Sequence, residues 1–129
     1  LTLPNISQTV IITRPEGRTP VPEAERISKL AQHQATMVIF LGTPHIAKVV
    51  EDLQKGGYPK DTPVSVVYKA TWPQQKIVKG TLGDIVAKVK AANITETALI
   101  FVGKVMNPEA YDLSKLYDPK FTTGFRKGE

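Results

Sequence analysis

Two apolar runs constrain this chain more than any other feature: residues 36–41 (TMVIFL) and residues 98–102 (ALIFV). Neither alternates with polar residues, so each predicts a strand covered on both faces, as in a sheet flanked by helices. Gly42 closes the first run and Gly103 the second. After Gly42, Thr43 is placed as an N-cap and Pro44 as a first helical residue. Ile46, Val49, Val50 and Leu53 then share one helical stripe, while Lys48 with Asp52 and Glu51 with Lys55 set opposite charges four residues apart. Gly56 and Gly57 end that helix by supplying left-handed backbone.

The rest of the chain extends this alternation. Residues 9–13 (TVIIT) are a β-branched strand closed by Arg14 and Pro15. RPEGRTPVPE is loop chemistry, and Pro22 is placed to open a short amphipathic helix with Ala24, Ile27 and Ala31 inward and Glu25, Arg26 and Lys29 in water. Residues 64–69 begin another strand. Trp72-Pro73-Gln74-Gln75 forbids its straight continuation, and residues 76–79 return as a hairpin or a bulged excursion. Thr81 to Asp84 matches a capping box with Asp in the last place, Leu82, Ile85, Val86 and Val89 repeat the helical stripe, and Asn93 closes it. This order predicts the α/β class, with a mixed, mostly parallel sheet flanked by helices. Residues 1–106 read as one such domain. Residues 107–129, with Tyr111, Leu113, Leu116, Tyr117, Phe121 and Phe125 at irregular spacing, read as a tail packing on the domain or on a partner subunit.

Several functions lose support at once. The absence of cysteine removes disulfides, thiolate metal sites and a cysteine nucleophile. No phosphate-binding glycine loop, dinucleotide fingerprint, zinc-protease motif or nucleophile elbow occurs, so no catalytic side chain is assigned. His33 and His45 fall on helix surfaces away from any acidic cluster, and no metal is assigned. A net charge of +5 suits a nucleic acid, an anionic membrane surface or a polyanionic small molecule. The basic residues are interleaved with acids and lack an RNA-binding signature, which disfavours nucleic acid. The longest apolar run is far short of the roughly twenty residues that span a bilayer. No membrane partner is expected. The chain opens at Leu1, already inside an alternating pattern, so it is expected to be part of something longer.

In open α/β sheets, ligands bind outside the carboxyl ends of the strands. That rule selects Leu41-Gly42-Thr43, Lys69-Ala70-Thr71 and Gly103-Lys104, expected along one edge, where small residues let a flat ligand approach bare backbone. Taken singly, Gly42 and Gly103 are better explained as strand-to-helix turns than as ligand positions. Trp72 is a candidate for stacking on a ligand, covering the sheet edge or lining an interface. Arg14, Arg18 and Lys69 are candidates for binding carboxylates.

TRPEGRTPVPE, VIFLGTPH, DTPVSVVYKATWPQQKIVKGTL, ALIFVGKVM and KLYDPKFTTGFRKG together resemble the C-terminal half of the tetrapyrrole methylase family, from about Leu3 to Lys127. The DTPV…YKATWPQQKIVKGT block and the GFRK tail point to the branch acting on precorrin-4, over siblings such as uroporphyrinogen-III methyltransferase or diphthine synthase. The resemblance implies methyl transfer from S-adenosyl-L-methionine to C11 of precorrin-4 or cobalt-precorrin-4 in cobalamin synthesis, in a cytoplasmic homodimer. It implies two α/β domains with the cofactor between them, only the second being present here, so that this chain alone is inactive. It places cofactor contacts at Leu41 and Ala70, to which Gly42 and Thr71 are added as neighbours. Arg14, Arg18 and Lys69 would meet the acidic tetrapyrrole. Two other readings stand beside it: a non-catalytic α/β binding or dimerisation module, and charge-driven nucleic-acid binding with steep salt dependence.

Overall fold

The structure is a computed structural model and describes residues 1–107. The aromatic residues expected to form the tail lie outside the described residues. Five strands and three helices follow in the order β1 (Val10–Thr13), α1 (Ile27–Leu30), β2 (Thr36–Ile39), α2 (Ile46–Lys55), β3 (Pro63–Tyr68), β4 (Lys76–Thr81), α3 (Ile85–Ala91) and β5 (Ala98–Val102). Single 3-10 turns at Glu23–Glu25, Ala31–His33, Thr43–His45 and Lys104–Met106 complete the described chain.

One mixed sheet runs in the order β1-β2-β5-β3-β4. Its mixed character and flanking helices follow the sequence expectation, but its predominant direction does not. Only β1 and β2 pair in parallel, while β5 is antiparallel to both β2 and β3, and β4 is antiparallel to β3. The cause is the hairpin at Trp72–Gln75. β4 reverses direction there, α3 returns the chain to the starting rim, and β5 therefore inherits the direction of β4 when it fills the gap between β2 and β3.

Met37, Ile39, Val64, Val66, Ile100 and Val102 point to one face of the sheet and share a buried cluster with Ile27, Val49, Leu53, Ile85 and Val89 from the three helices. At roughly 25 cal/mol per Å² of apolar surface removed from water, this cluster is the main stabilising term of the domain. On the opposite face Val38 and Ser65 are buried in the middle strands, while the edge strands β1 and β4 present exposed apolar side chains. Register neighbours on that face include Ile12 beside Val38, and Val67 between Leu99 and Ile77. Ile12 and Ile77 are exposed, at 69% and 51%.

Local signals explain where the helices stop. Gly57 takes φ 117° and the Tyr58 N–H reaches back to the Leu53 carbonyl at 3.2 Å. Asn93 takes φ 56°, with the Ile94 N–H on the Val89 carbonyl at 3.2 Å. At the start of α3 the Thr81 N–H donates to the Asp84 carboxylate at 2.7 Å, the return half of a capping box. That bond is the first cause holding the Asp84 carboxyl below its ordinary range. Two expectations fail here. Ala24 is exposed, because Arg26 is extended (φ −62°, ψ 145°) and breaks the segment before α1 begins. Thr43 caps nothing with its side chain, because Gly42 is already helical and the chain enters α2 through a 3-10 turn.

Candidate functional site

β2 and β3 end on the same rim of the sheet, and β5 begins there. Each connection is left-handed at a residue other than glycine: Leu41 at φ 58°, Lys69 at φ 46° and Thr97 at φ 57°. Such backbone is costly for side chains bearing a Cβ and persists where surrounding structure imposes it. The Lys69 N–H donates to the Thr97 carbonyl at 2.9 Å, locking the exit of β3 to the entrance of β5.

A cleft of about 380 Å³ opens between these connections. Phe40, Leu41, Thr43 and Pro44 form one wall, and Val67, Lys69, Ala70 and Trp72 another. Glu96, Thr97, Ala98 and Leu99 complete the lining. Most of it is apolar. The Lys69 ammonium lies 5.3 Å from the Tyr68 ring centre and 5.4 Å from that of Trp72, within cation–π range of both. This holds the charge beside Trp72, itself part of the lining. The Thr43 hydroxyl is buried without a hydrogen-bond partner.

Leu41, Lys69 and Ala70 are therefore brought together as the strand-end rule expects. Gly103-Lys104 is not: antiparallel β5 carries it to the opposite rim, where the Gly103 N–H meets the Pro63 carbonyl at 3.1 Å. Gly42 lies behind the cleft wall. A Cβ there would stand 3.1 Å from Ile39, 3.2 Å from Ile100 and 3.4 Å from Val49, so core packing accounts for this glycine. Thr71 is exposed and outside the lining, its N–H donating to the Gln75 side-chain oxygen at 2.7 Å. Arg14 is also outside. It follows edge strand β1 and donates to the carbonyls of Pro15, Thr19 and Pro20 at 3.2–3.3 Å, tying its own loop. Arg18 is exposed in that loop.

Sequence reasoning missed Glu96 to Leu99 because it assigned β5 the wrong direction, putting the end of that strand at the rim and not its beginning. The return after Trp72 was the available signal, since a single reversal inverts every later crossover strand.

An α/β domain with a ligand-sized cleft at its strand ends matches a known family. The profile of the tetrapyrrole (corrin/porphyrin) methylases matches residues 1–86, and the chain belongs to that family. A cobalt-precorrin-4 C(11)-methyltransferase of Methanocaldococcus jannaschii is 61% identical over 127 residues, covering 98% of this chain and 49% of the relative. A precorrin-4 C(11)-methyltransferase of Pseudomonas aeruginosa is 49% identical over 129 residues, 100% of this chain and 51% of the relative. The X-ray structure of a cobalt precorrin-4 methyltransferase superposes with TM-score 0.81 at 45% identity, covering 84% of this chain and 45% of that one. The chain thus spans about half the length of the relatives it matches.

Proposed function

We propose that this chain is the C-terminal half of a methyltransferase that transfers a methyl group from S-adenosyl-L-methionine to C11 of precorrin-4 or cobalt-precorrin-4. The cleft is its share of the cofactor site. The observation carrying this reading is the convergence of Leu41, Lys69 and Thr97, three left-handed turns around one apolar cleft beside small Ala70 and Ala98. The likeness to precorrin-4 methyltransferases along nearly the whole chain supports the substrate.

The residues present fit a thioether nucleoside. Leu41, Phe40, Val67 and Leu99 offer apolar surface to a flat base, Ala70 leaves room for close backbone approach, and the unpartnered Thr43 hydroxyl has hydrogen-bonding capacity to spare. When bound, the cofactor supplies a methyl group on a leaving group that is already activated. The chain then has to orient, not to move protons. Alignment alone can remove roughly 7–11 kcal/mol from such a barrier. Walls on two strand ends and the start of α2 would hold the ligand and keep water from its apolar side. Lys69, in the cleft lining, is among the described residues the cation best placed for a substrate carboxylate, and the net charge of +5 favours the approach of an acidic macrocycle. Arg14 and Arg18 are at most remote contributors.

Half a cleft needs another half. The reading includes a preceding domain, a homodimer and a cytoplasmic setting; exposed Ile12 and Ile77 on the two edge strands support a covering partner, and among the described residues no helix is long and apolar enough to cross a membrane. The test is calorimetry with S-adenosylhomocysteine on this chain joined behind the preceding half of the M. jannaschii relative. Saturable heat is expected, and heat no greater than dilution would falsify the reading.

A further inference from the structure

We propose that the Thr43 hydroxyl is a ligand-binding group, hydrogen-bonded to a polar edge of the cofactor's nucleoside part. The proposal rests on the cofactor reading above and assigns a side chain that the strand-end rule does not select. Thr43 is 4% exposed, and its Oγ1 is the buried side-chain polar atom without a partner among the described residues. Buried polar groups are paired in roughly nine cases of ten, so an orphan beside a cleft needs an explanation.

The fold supplies no internal use for it. The Thr43 carbonyl already accepts the Ile46 N–H, and the turn it opens is satisfied by the His45 N–H on the Gly42 carbonyl at 2.9 Å. Nor does the side chain cap α2. Open space lies on two sides of the residue: the strand-end cleft, and a neighbouring one of about 450 Å³ bordered by His45, Val89, Lys90, Asn93 and Ile94. The threonine hydroxyl and methyl exchange places between staggered χ1 wells, so a rotamer change serves to present Oγ1 to a bound group. The charged side chains of the strand-end cleft, Lys69 and Glu96, are not buried. Thr43 therefore supplies a desolvated polar contact within an apolar wall, the kind of group that fixes a ligand's orientation.

Thr43→Val keeps the shape and removes the hydroxyl, while Thr43→Ser keeps the hydroxyl. Both are compared with the unsubstituted protein by calorimetry with S-adenosylhomocysteine, on this chain joined behind the preceding half of the M. jannaschii relative, and by thermal unfolding without ligand. Loss of one buried hydrogen bond predicts roughly 5- to 30-fold weaker binding for Thr43→Val. Thr43→Ser should stay within roughly threefold, since the bond is retained. The ligand-free Thr43→Val protein should melt at the same temperature or higher, because an unpaired buried group has been removed. Equal affinity of Thr43→Val and unsubstituted protein overturns the proposal and leaves the cofactor reading intact. A lower melting temperature accompanying the loss of affinity also overturns it, by assigning the hydroxyl to folding. Absence of binding by the unsubstituted protein removes both.

Discussion

Lys69 and Thr97, distant in sequence, are joined by a backbone hydrogen bond of 2.9 Å, and both turn the chain through left-handed conformation beside the same cleft. The exit of one strand and the entrance of another thus form a single rigid corner. Leu41 on the adjoining strand end makes the same kind of turn without a glycine.

Trp72 reports on this corner. It is the only tryptophan in the chain, it lines the cleft, and it is 56% exposed. Titrating S-adenosylhomocysteine into the joined two-half protein should shift its emission to the blue and saturate with the calorimetric isotherm. An unchanged spectrum at saturation would place the ligand elsewhere.

Leu41→Gly separates backbone strain from ligand contact. The side chain is 69% exposed and takes φ 58°, so glycine loses little packing and relieves a left-handed conformation costing about 1 kcal/mol. Urea unfolding should show a change between zero and a gain of about 1 kcal/mol, the greater freedom of unfolded glycine offsetting part of the relief. Affinity for S-adenosylhomocysteine should nevertheless fall. A large loss of stability would show that Leu41 is held by packing and not available to a ligand.

The glycines should rank by what a methyl group would strike. At Gly56 a Cβ would lie 2.3 Å from that of Ala31 and 2.6 Å from the Ser28 carbonyl, jamming α2 against α1. Gly56→Ala should cost about 2–3 kcal/mol in urea unfolding. At Gly42 the nearest atoms, at 3.1–3.4 Å, are side-chain methyls that can give, so Gly42→Ala should cost nearer 1 kcal/mol. The reverse order would contradict this packing.

Alkaline pH tests the buried end of the sheet. Tyr58 donates its hydroxyl to the Ala35 carbonyl, and burial pushes its pKa from 10.0 to about 12. Between those values the unfolded chain releases this proton while the folded chain retains it, so stability must fall as pH rises. The loss should approach about 2 kcal/mol across the window, read as a falling urea midpoint. Tyr58→Phe should flatten that slope while lowering stability at neutral pH.

Much of this was legible in the residues, for identifiable reasons. The stripe Ile46, Val49, Val50 and Leu53 and the stop at Gly57 are local, and α2 forms where they place it. Leu41 and Ala70 meet at one cleft because β2 and β3 run in the same direction. Strand direction itself is not local: ALIFV reads the same in either sense, and only the reversal at Trp72–Gln75 decides it. Arg14 shows a further limit, since a guanidinium that spends its donors on neighbouring carbonyls looks in sequence like one free to bind carboxylates.

The last of the described strands to leave the ribosome is the one that occupies the middle of the sheet. Until residues 98–102 are synthesised, β1 with β2 and β3 with β4 are separate two-stranded ribbons with nothing to zip them together. Nascent chains stopped just after α3 should therefore be captured by chaperones or digested by protease, even though residues 1–86, which match the family profile, have by then been made.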